Sequence, residues 1–486
     1  MKRRDFLNRG GAAGAGAVLL PGLSLGLGGC TPAAAVSAGK TAKNIIFLVS
    51  DGMSHGTLSM ADNVLRSKYG QTSAWIDLYR NGLAKRALMD TASADSFVTD
   101  SAAGGSAWGG GVRVPNGKLN MGKNGEKHEP ILQKFKNMGK AVGCVTTVPI
   151  THATPASFCV NMKHRKFQAE IAEQYLELKF DVMLGGGTEF FTAQSREDGR
   201  DMFAEFKKAG FQVCRNKKEL ETAPESNKPL LGVFYESGLP YSVDANADQA
   251  LSEKVPGLST MTKTAIEKMR KNTAGFVLQV EGGKVDWAAH GNDATALLHD
   301  QIEFDRAVQE ALNFAEADKN TLVIITTDHG NANPGLVKSK NVNKKFERFF
   351  EAKHSNEWIF KELDNTSTLN QIRERVEYAS NCAITKEEAK TLFDKLQYDA
   401  GGEYNPYKKP FAELSKIQFD YWSIGWSGTN HTQDFVELAA YGAGSEELPP
   451  FVLNSDLHNF LLKAAGVNKS DFAPEDSAAK SAFKSV

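Results

Sequence analysis

The chain has 486 residues, 41% of them hydrophobic and 24% charged, the balance of a folded protein with a substantial core. That length suits one large domain with an insertion, or two or three smaller domains. Net charge is −1, from 57 basic and 58 acidic residues, so nucleic acid is not implied as a partner, although a local cationic pocket is not excluded.

Lys2-Arg3-Arg4-Asp5-Phe6-Leu7 is a twin-arginine pattern, and an apolar Gly/Ala-rich run follows from Gly10 to Gly29. Pro21 and the many glycines make a membrane-spanning helix the poorer reading. Leu27-Gly28-Gly29-Cys30 resembles a bacterial lipobox. That implies cleavage before Cys30, diacylation of the cysteine and a membrane-anchored protein in the periplasm or cell envelope; a plain cleaved signal is the alternative. Loss of residues 1–29 removes four basic and one acidic residue and leaves a net charge of −4. Residues 30–43 read as a tether. Cys144, Cys159, Cys214 and Cys382 remain, without CxxC spacing. They could form up to two disulfides whose pairing is unreadable, and are taken mostly as buried apolar side chains.

Residues 44–50 form a continuous apolar run, as expected of a strand buried on both faces, and Asp51-Gly52-Met53 follows at its carboxyl end. Residues 75–88 read as a helix. The stretch Thr99-Asp100-Ser101-Ala102-Ala103-Gly104-Gly105-Ser106-Ala107 then sets a serine beside an acid and follows it with small side chains only. Small residues let a helix N-terminus approach an anion, so Ser101 is a candidate nucleophile that needs something to activate it. A simple N-capped, Gly-rich segment is the alternative.

Further on, the pattern predicts a helix over 131–138, a strand over 141–148, helices over 167–178 and 203–209, and a strand over 180–184. The strand at 141–148 exits into Thr151-His152-Ala153-Thr154-Pro155. A helix over 261–270 precedes a strand over 276–280, which leads into Glu281. Asp286 and His290 stand four apart and share a face if helical, as metal ligands or as a surface ion pair. A long helix over 295–317 follows, then a β-branched strand over 321–326 that exits into Asp328-His329. Alternation of this kind argues for an α/β fold, with a largely parallel sheet and helices on both faces. Metal-competent side chains at the strand exits near 51, 154, 281 and 328 argue for a site along one sheet edge. Residues 335–422 are dense in Lys and Glu and read as a mostly helical insertion. The chain returns with Thr429-Asn430-His431-Thr432, a strand over 435–441 and an amphipathic helix over 456–465. The division is a leader over 1–29, a tether over 30–43, a catalytic domain from 44–334 with 423–486, and the insertion over 335–422.

Six motifs together resemble the alkaline phosphatases. They are Asp51-Gly52-Met53, Thr99-Asp100-Ser101-Ala102-Ala103, Thr151-His152-Ala153-Thr154-Pro155 with Arg165 eleven residues after Thr154, Glu281 with Asp286 and His290, Thr327-Asp328-His329, and His431-Thr432. The resemblance implies an alkaline-phosphatase-like fold and hydrolysis of small phosphate monoesters through a phosphoserine on Ser101. Arg165 grips phosphate, and Asp100 positions that arginine. It implies one zinc on Asp286, His290 and His431, a second on Asp51, Asp328 and His329, and a third ion, usually magnesium, on Asp51, Thr154 and Glu281. His152, on the substrate side, stands where the best-studied bacterial enzymes have Asp, and Trp287 where they have Lys; the His/Trp pairing occurs in other members. The third ion is therefore magnesium, zinc or cobalt. The insertion is expected to overhang the pocket or form a crown at a dimer interface, and both monomer and homodimer remain open. A sulfatase is disfavoured because Ala, Ala, Gly and Gly follow Ser101, and a diesterase because Thr154 and Glu281 are present.

Overall fold

The structure is a computed structural model, described over residues 41–396 and 409–467. The leader, Cys30 and most of the tether lie outside the described residues. Fourteen strands occur among them: β1 (Asn44–Val49), β2 (Lys85–Asp90), β3 (Ala141–Pro149), β4 (Val182–Gly186), β5 (Gln212–Cys214), β6 (Leu230–Val233) and β7 (Phe276–Glu281). They continue with β8 (Thr321–Thr326), β9 (Gly330–Asn331), β10 (Gly335–Leu336), β11 (Ile424–Gly425), β12 (His431–Thr432), β13 (Phe435–Gly442) and β14 (Phe451–Leu453).

Ten strands make one sheet in the order β14-β2-β13-β8-β1-β7-β3-β4-β6-β5. All neighbours pair in parallel except β13, which is antiparallel to both β2 and β8. Alternating side chains drive this arrangement. Ile46 and Leu48 of β1 enter one apolar layer, while Ile45, Phe47 and Val49 enter the other. Val323 and Ile325 of β8 divide from Leu322 and Ile324 in the same way. A strand buried on both faces is apolar at most positions, which is why these segments read as near-continuous runs.

The expected helix over 75–88 is corrected. A helix spans Ala74–Arg80, Gly82 turns the chain at φ +61, and Lys85–Asp90 is β2. Only Ala87 and Met89 of β2 are buried, so the strand carries period-2 alternation beneath a charged surface.

Five described helices fill residues 342–422: Val342–Phe349, Asn356–Lys361, Leu369–Ser380, Lys386–Phe393 and Phe411–Trp422. Their apolar residues, Phe349, Ile359, Val376, Leu414 and Trp422 among them, join the layer that contains Ile46 and Leu48. At the base of this region β10 pairs with β11, and the Ser339 and Ser423 hydroxyls meet at 2.6 Å. The four cysteines are buried thiols, with the Cys144 and Cys159 sulfurs 3.6 Å apart.

Candidate active site

The neighbours β8, β1, β7 and β3 run in parallel, with Val49 in register with both Glu281 and Thr326. Their carboxyl ends therefore deliver Asp328, Asp51, Glu281 and the Thr151–Thr154 turn to one edge. His431 arrives differently. β12 pairs antiparallel with β9, which sets His431 opposite Asn331 and stacks its ring on His329 at 3.7 Å.

Ser101 opens the helix Ser101–Gly110, capped by Asp100, whose side chain accepts the Ala103 amide at 2.9 Å. A side chain at Gly105 or Gly109 would collide with Ser157, so the small residues let this helix lie on the helix Ala153–Cys159. Ser101 is thereby buried at the site, its Oγ 3.3 Å from His329 Nε2.

Three groups of side chains bring their ligand atoms within 4.8 Å of one another: Asp286, His290 and His431; Asp51, Asp328 and His329; and Asp51, His152 and Glu281. In the first, the Nδ1 atoms of His290 and His431 face the carbonyls of Thr429 at 2.7 Å and Thr99 at 2.9 Å. The Nε2 atoms therefore meet each other at 3.1 Å and Asp286 at 3.4 and 3.5 Å. Asn331 donates to Asp286 Oδ1 at 2.7 Å. Burial of Asp286 is outweighed by His290 and His431, which hold its carboxyl well below the usual range.

In the second group, Asp328 Oδ1 accepts the Gly52 amide at 3.1 Å, and its Oδ2 lies 3.2 Å from His329 Nε2. The third group joins Thr154, whose hydroxyl donates to Asp51 Oδ2 at 3.4 Å, and Thr146, which donates to Glu281. Burial, reinforced by Asp328, Asp286 and Glu281, pushes Asp51 well above the usual carboxylate range. Burial also raises Glu281 to about 7 and Asp328 to about 6. Asp51 Oδ1, Asp328 Oδ2 and Glu281 Oε1 are buried without a hydrogen-bond partner. Buried carboxylates with orphaned oxygens converging on imidazole nitrogens suit cations. Mixed imidazole and carboxylate donors fit zinc, and the oxygen-rich set around Glu281 fits a harder ion.

Arg165 bonds Asp100 Oδ2 at 3.2 Å and places its other terminal nitrogen 2.9 Å from His152 Nε2. A guanidinium only donates, so Nε2 accepts and a neutral ring carries its proton on Nδ1. Burial and the nearby Arg165 push His152 down to about 3. Trp287 meets its ring edge-on at 6.1 Å. His152, expected on the substrate side, thus also lies among the groups that could hold the third ion. The structure brings the remaining predicted site residues together as well, apart from Cys30 outside the described residues. Sequence reasoning missed Asn331, Thr146 and the carbonyls of Thr99 and Thr429. Only Asn331 left a signal, three residues beyond Asp328.

A family profile described as alkaline phosphatase matches residues 42–467. Alkaline phosphatase 4 of Bacillus subtilis is 30% identical over 433 residues, 88% of this chain and 89% of the relative. The chain belongs to the alkaline phosphatase family. The crystal structure of Thermus thermophilus alkaline phosphatase superposes with a TM-score of 0.82 at 30% identity, over 95% of this chain and all of that one. A TAB5 alkaline phosphatase variant, His to Asp at one position and described with Mg bound in the M3 site, matches at 26% identity and TM-score 0.64. It covers 88% of this chain and 99% of its own. As an alkaline phosphatase, the protein is a metal-dependent phosphomonoester hydrolase.

Proposed function

We propose that this alkaline phosphatase hydrolyses small phosphate monoesters by transferring the phosphoryl group to Ser101 and then to water. The observation that carries this reading is the Ser101 hydroxyl at a helix N-terminus, 3.3 Å from His329 and beside the Asp51, Asp328 and His329 group. The helix end favours the phosphate anion. Arg165, steadied by Asp100, offers two donors in a plane for two phosphate oxygens. Asp100 is held below the usual range because Arg165 and the Ala103 and Gly117 amides outweigh burial, so it keeps its charge as a brace.

Asp286, His290 and His431 would hold one zinc, and Asp51, Asp328 and His329 a second. Asp51, Thr154 and Glu281, with His152 beside them, would hold a third ion, which is magnesium, zinc or cobalt. Bound there, such ions would supply Lewis-acid stabilisation of the charge that develops in an in-line displacement. Ser101 attacks phosphorus, the bond to the leaving alcohol breaks, and water then cleaves the serine ester and releases inorganic phosphate. No Ser-His-Asp triad is needed, because the group beside Ser101 is a set of cation ligands.

The test is acid quenching of the purified protein lacking residues 1–29 during turnover of p-nitrophenyl phosphate. Phosphorylated protein should accumulate in the wild type and be absent in Ser101→Ala, and EDTA should abolish turnover. Equal activity in Ser101→Ala would overturn the covalent route. We also propose export by the twin-arginine leader and a lipid anchor at Cys30, holding the enzyme at the membrane in the cell envelope. A Cys30→Ala protein that still partitions with membranes would contradict the anchor. The insertion is proposed to overhang the pocket or form a crown, in a monomer or homodimer.

A further inference from the structure

The parallel strands β1, β3, β4, β6, β7 and β8 begin at the sheet edge opposite the candidate site. Register aligns Asn44 with Thr321, Val277 with both Ile45 and Val142, and Val182 with both Gly143 and Leu230. The segments entering these strands therefore reach nearly one level, and each brings a lysine: Lys43, Lys140, Lys179, Lys228, Lys271 and Lys319. Asp181 is the one acid among residues 41–43, 138–140, 179–181, 226–229, 270–275 and 319–320. Its carboxylate already accepts the Val142 amide at 2.9 Å and faces Lys136 at 3.5 Å. A cleft of about 290 Å³ at this edge is lined by Lys179, Lys228, Lys268 and Lys271. Burial and then Lys271 hold Lys268 below the ordinary lysine range, and burial and then Lys43 do the same to Lys140, so these cations crowd one another. Lys43, Lys179, Lys228 and Lys319 are exposed, and their ammonium groups have no ion-pair or hydrogen-bond partner among the described residues. Helix dipoles favour a cation after Leu178 or Asp318, but Lys43 and Lys228 directly follow no α-helix. Met138, 39% exposed, stands two residues before Lys140.

We propose that this amino-terminal edge of the sheet docks on an anionic phospholipid surface and turns the candidate site toward the surrounding medium. The proposal takes the Cys30 anchor from the reading above and nothing from the phosphoryl chemistry. Charge argues for it: without residues 1–29 the chain carries −4 overall, so a basic edge does not follow from composition. Position argues for it too. The chain enters β1 at this edge through Lys43, and Cys30 lies only eleven residues before Thr41, a reach of at most about 40 Å. An anchored chain therefore keeps this edge near its membrane. Lysines at one level with an exposed methionine among them match headgroup phosphates above acyl chains. The carboxyl ends of the strands then face outward, about 20 Å further from the lipid, the length of the six-residue β1. The acyl group retains the protein, and the lysines orient it.

The experiment measures cosedimentation of the holoenzyme, residues 30–486 without acylation, with vesicles of mixed phosphatidylglycerol and phosphatidylcholine or of phosphatidylcholine alone. Binding to the anionic vesicles at low salt, its loss in about 0.5 M NaCl and no binding to neutral vesicles are expected. Lys43→Gln, Lys179→Gln, Lys228→Gln and Lys319→Gln together should weaken binding on the order of 100-fold and leave turnover of p-nitrophenyl phosphate unchanged. Lys344→Gln, Lys361→Gln, Lys386→Gln and Lys416→Gln change net charge equally on the insertion and should weaken it far less. Equal losses in the two sets overturn the edge assignment, as does wild-type binding that is absent or no stronger on anionic than on neutral vesicles. Retention on heparin without binding to anionic vesicles overturns it in favour of a soluble polyanion. The assayed protein carries no acyl group, so a failed Cys30 anchor leaves these outcomes readable. On cell membranes, a wash in the same salt releases copies held by the lysines and leaves those held by acyl chains.

Discussion

The two ends of the candidate site are built on opposite terms. At the open end, Asp286 is held ionised, and the backbone carbonyls of Thr429 and Thr99 aim both imidazoles inward, so the arrangement is set before anything binds. At the sealed end, Asp51 and Glu281 have 0% exposure, keep oxygens without partners and are pushed toward their neutral forms. The first is organised by its orienting neighbours. The second carries charge that burial makes expensive, and only a cation relieves it. Asp51 belongs to two of the three groups and couples the ends.

The largest effect should come from breaking that coupling. Asp51→Asn takes charge from two groups at once and should lower kcat/KM roughly 10³-fold or more. Measurement of activity alongside bound metal checks this, and loss of only one ion would show that the ends are independent. Next in size is Asn331→Ala, which frees Asp286 at the open end. It should weaken retention of one zinc by about 10–100-fold while the sealed end keeps its ion, as read by competition with a chelator. His152→Asp acts on the sealed end and on Arg165, which donates to His152 Nε2. It should increase magnesium per chain by metal analysis, with a smaller change in turnover, and unchanged magnesium content would remove His152 from that end.

The last effect concerns stability rather than activity, lies outside the site and asks whether a sealed carboxylate without a cation behaves differently. Asp300 accepts from the amide and hydroxyl of Ser242, and burial raises it from 3.8 to about 7. Its folded pKa lies above the unfolded one, so its contribution is fully present below about pH 4 and is lost as pH rises to about 7. The loss is about 1.4 kcal/mol per pH unit in that window. Asp300→Asn should flatten this part of the stability curve in denaturant titrations, and an identical slope would show that Asp300 is ionised in the fold.

The sheet was legible where strands are buried on both faces. Residues 44–49, 276–281 and 321–326 are apolar runs that end in polar residues, and a parallel arrangement places those ends together. The metal-competent groups followed from the same exits and from the i, i+4 spacing of Asp286 and His290. β2 was not legible, because a lone buried pair under charged neighbours resembles a helical surface over so short a span. The approach of His431 was hidden too, since a two-residue ladder leaves no periodicity to read. Asn331 and Thr146 act through neighbours that only the fold supplies. The ordinary polarity of these two side chains carried little warning.

The β9–β12 ladder bears on biosynthesis. His431 stands far along the chain from Asp51, so a nascent polypeptide emerging from the ribosome lacks its final donor until almost all of the sheet has been made. The donor set is therefore complete only when that two-residue clasp has joined segments about a hundred residues apart. Truncated or half-folded copies lack the complete constellation, and cation capture rewards the finished chain by mass action.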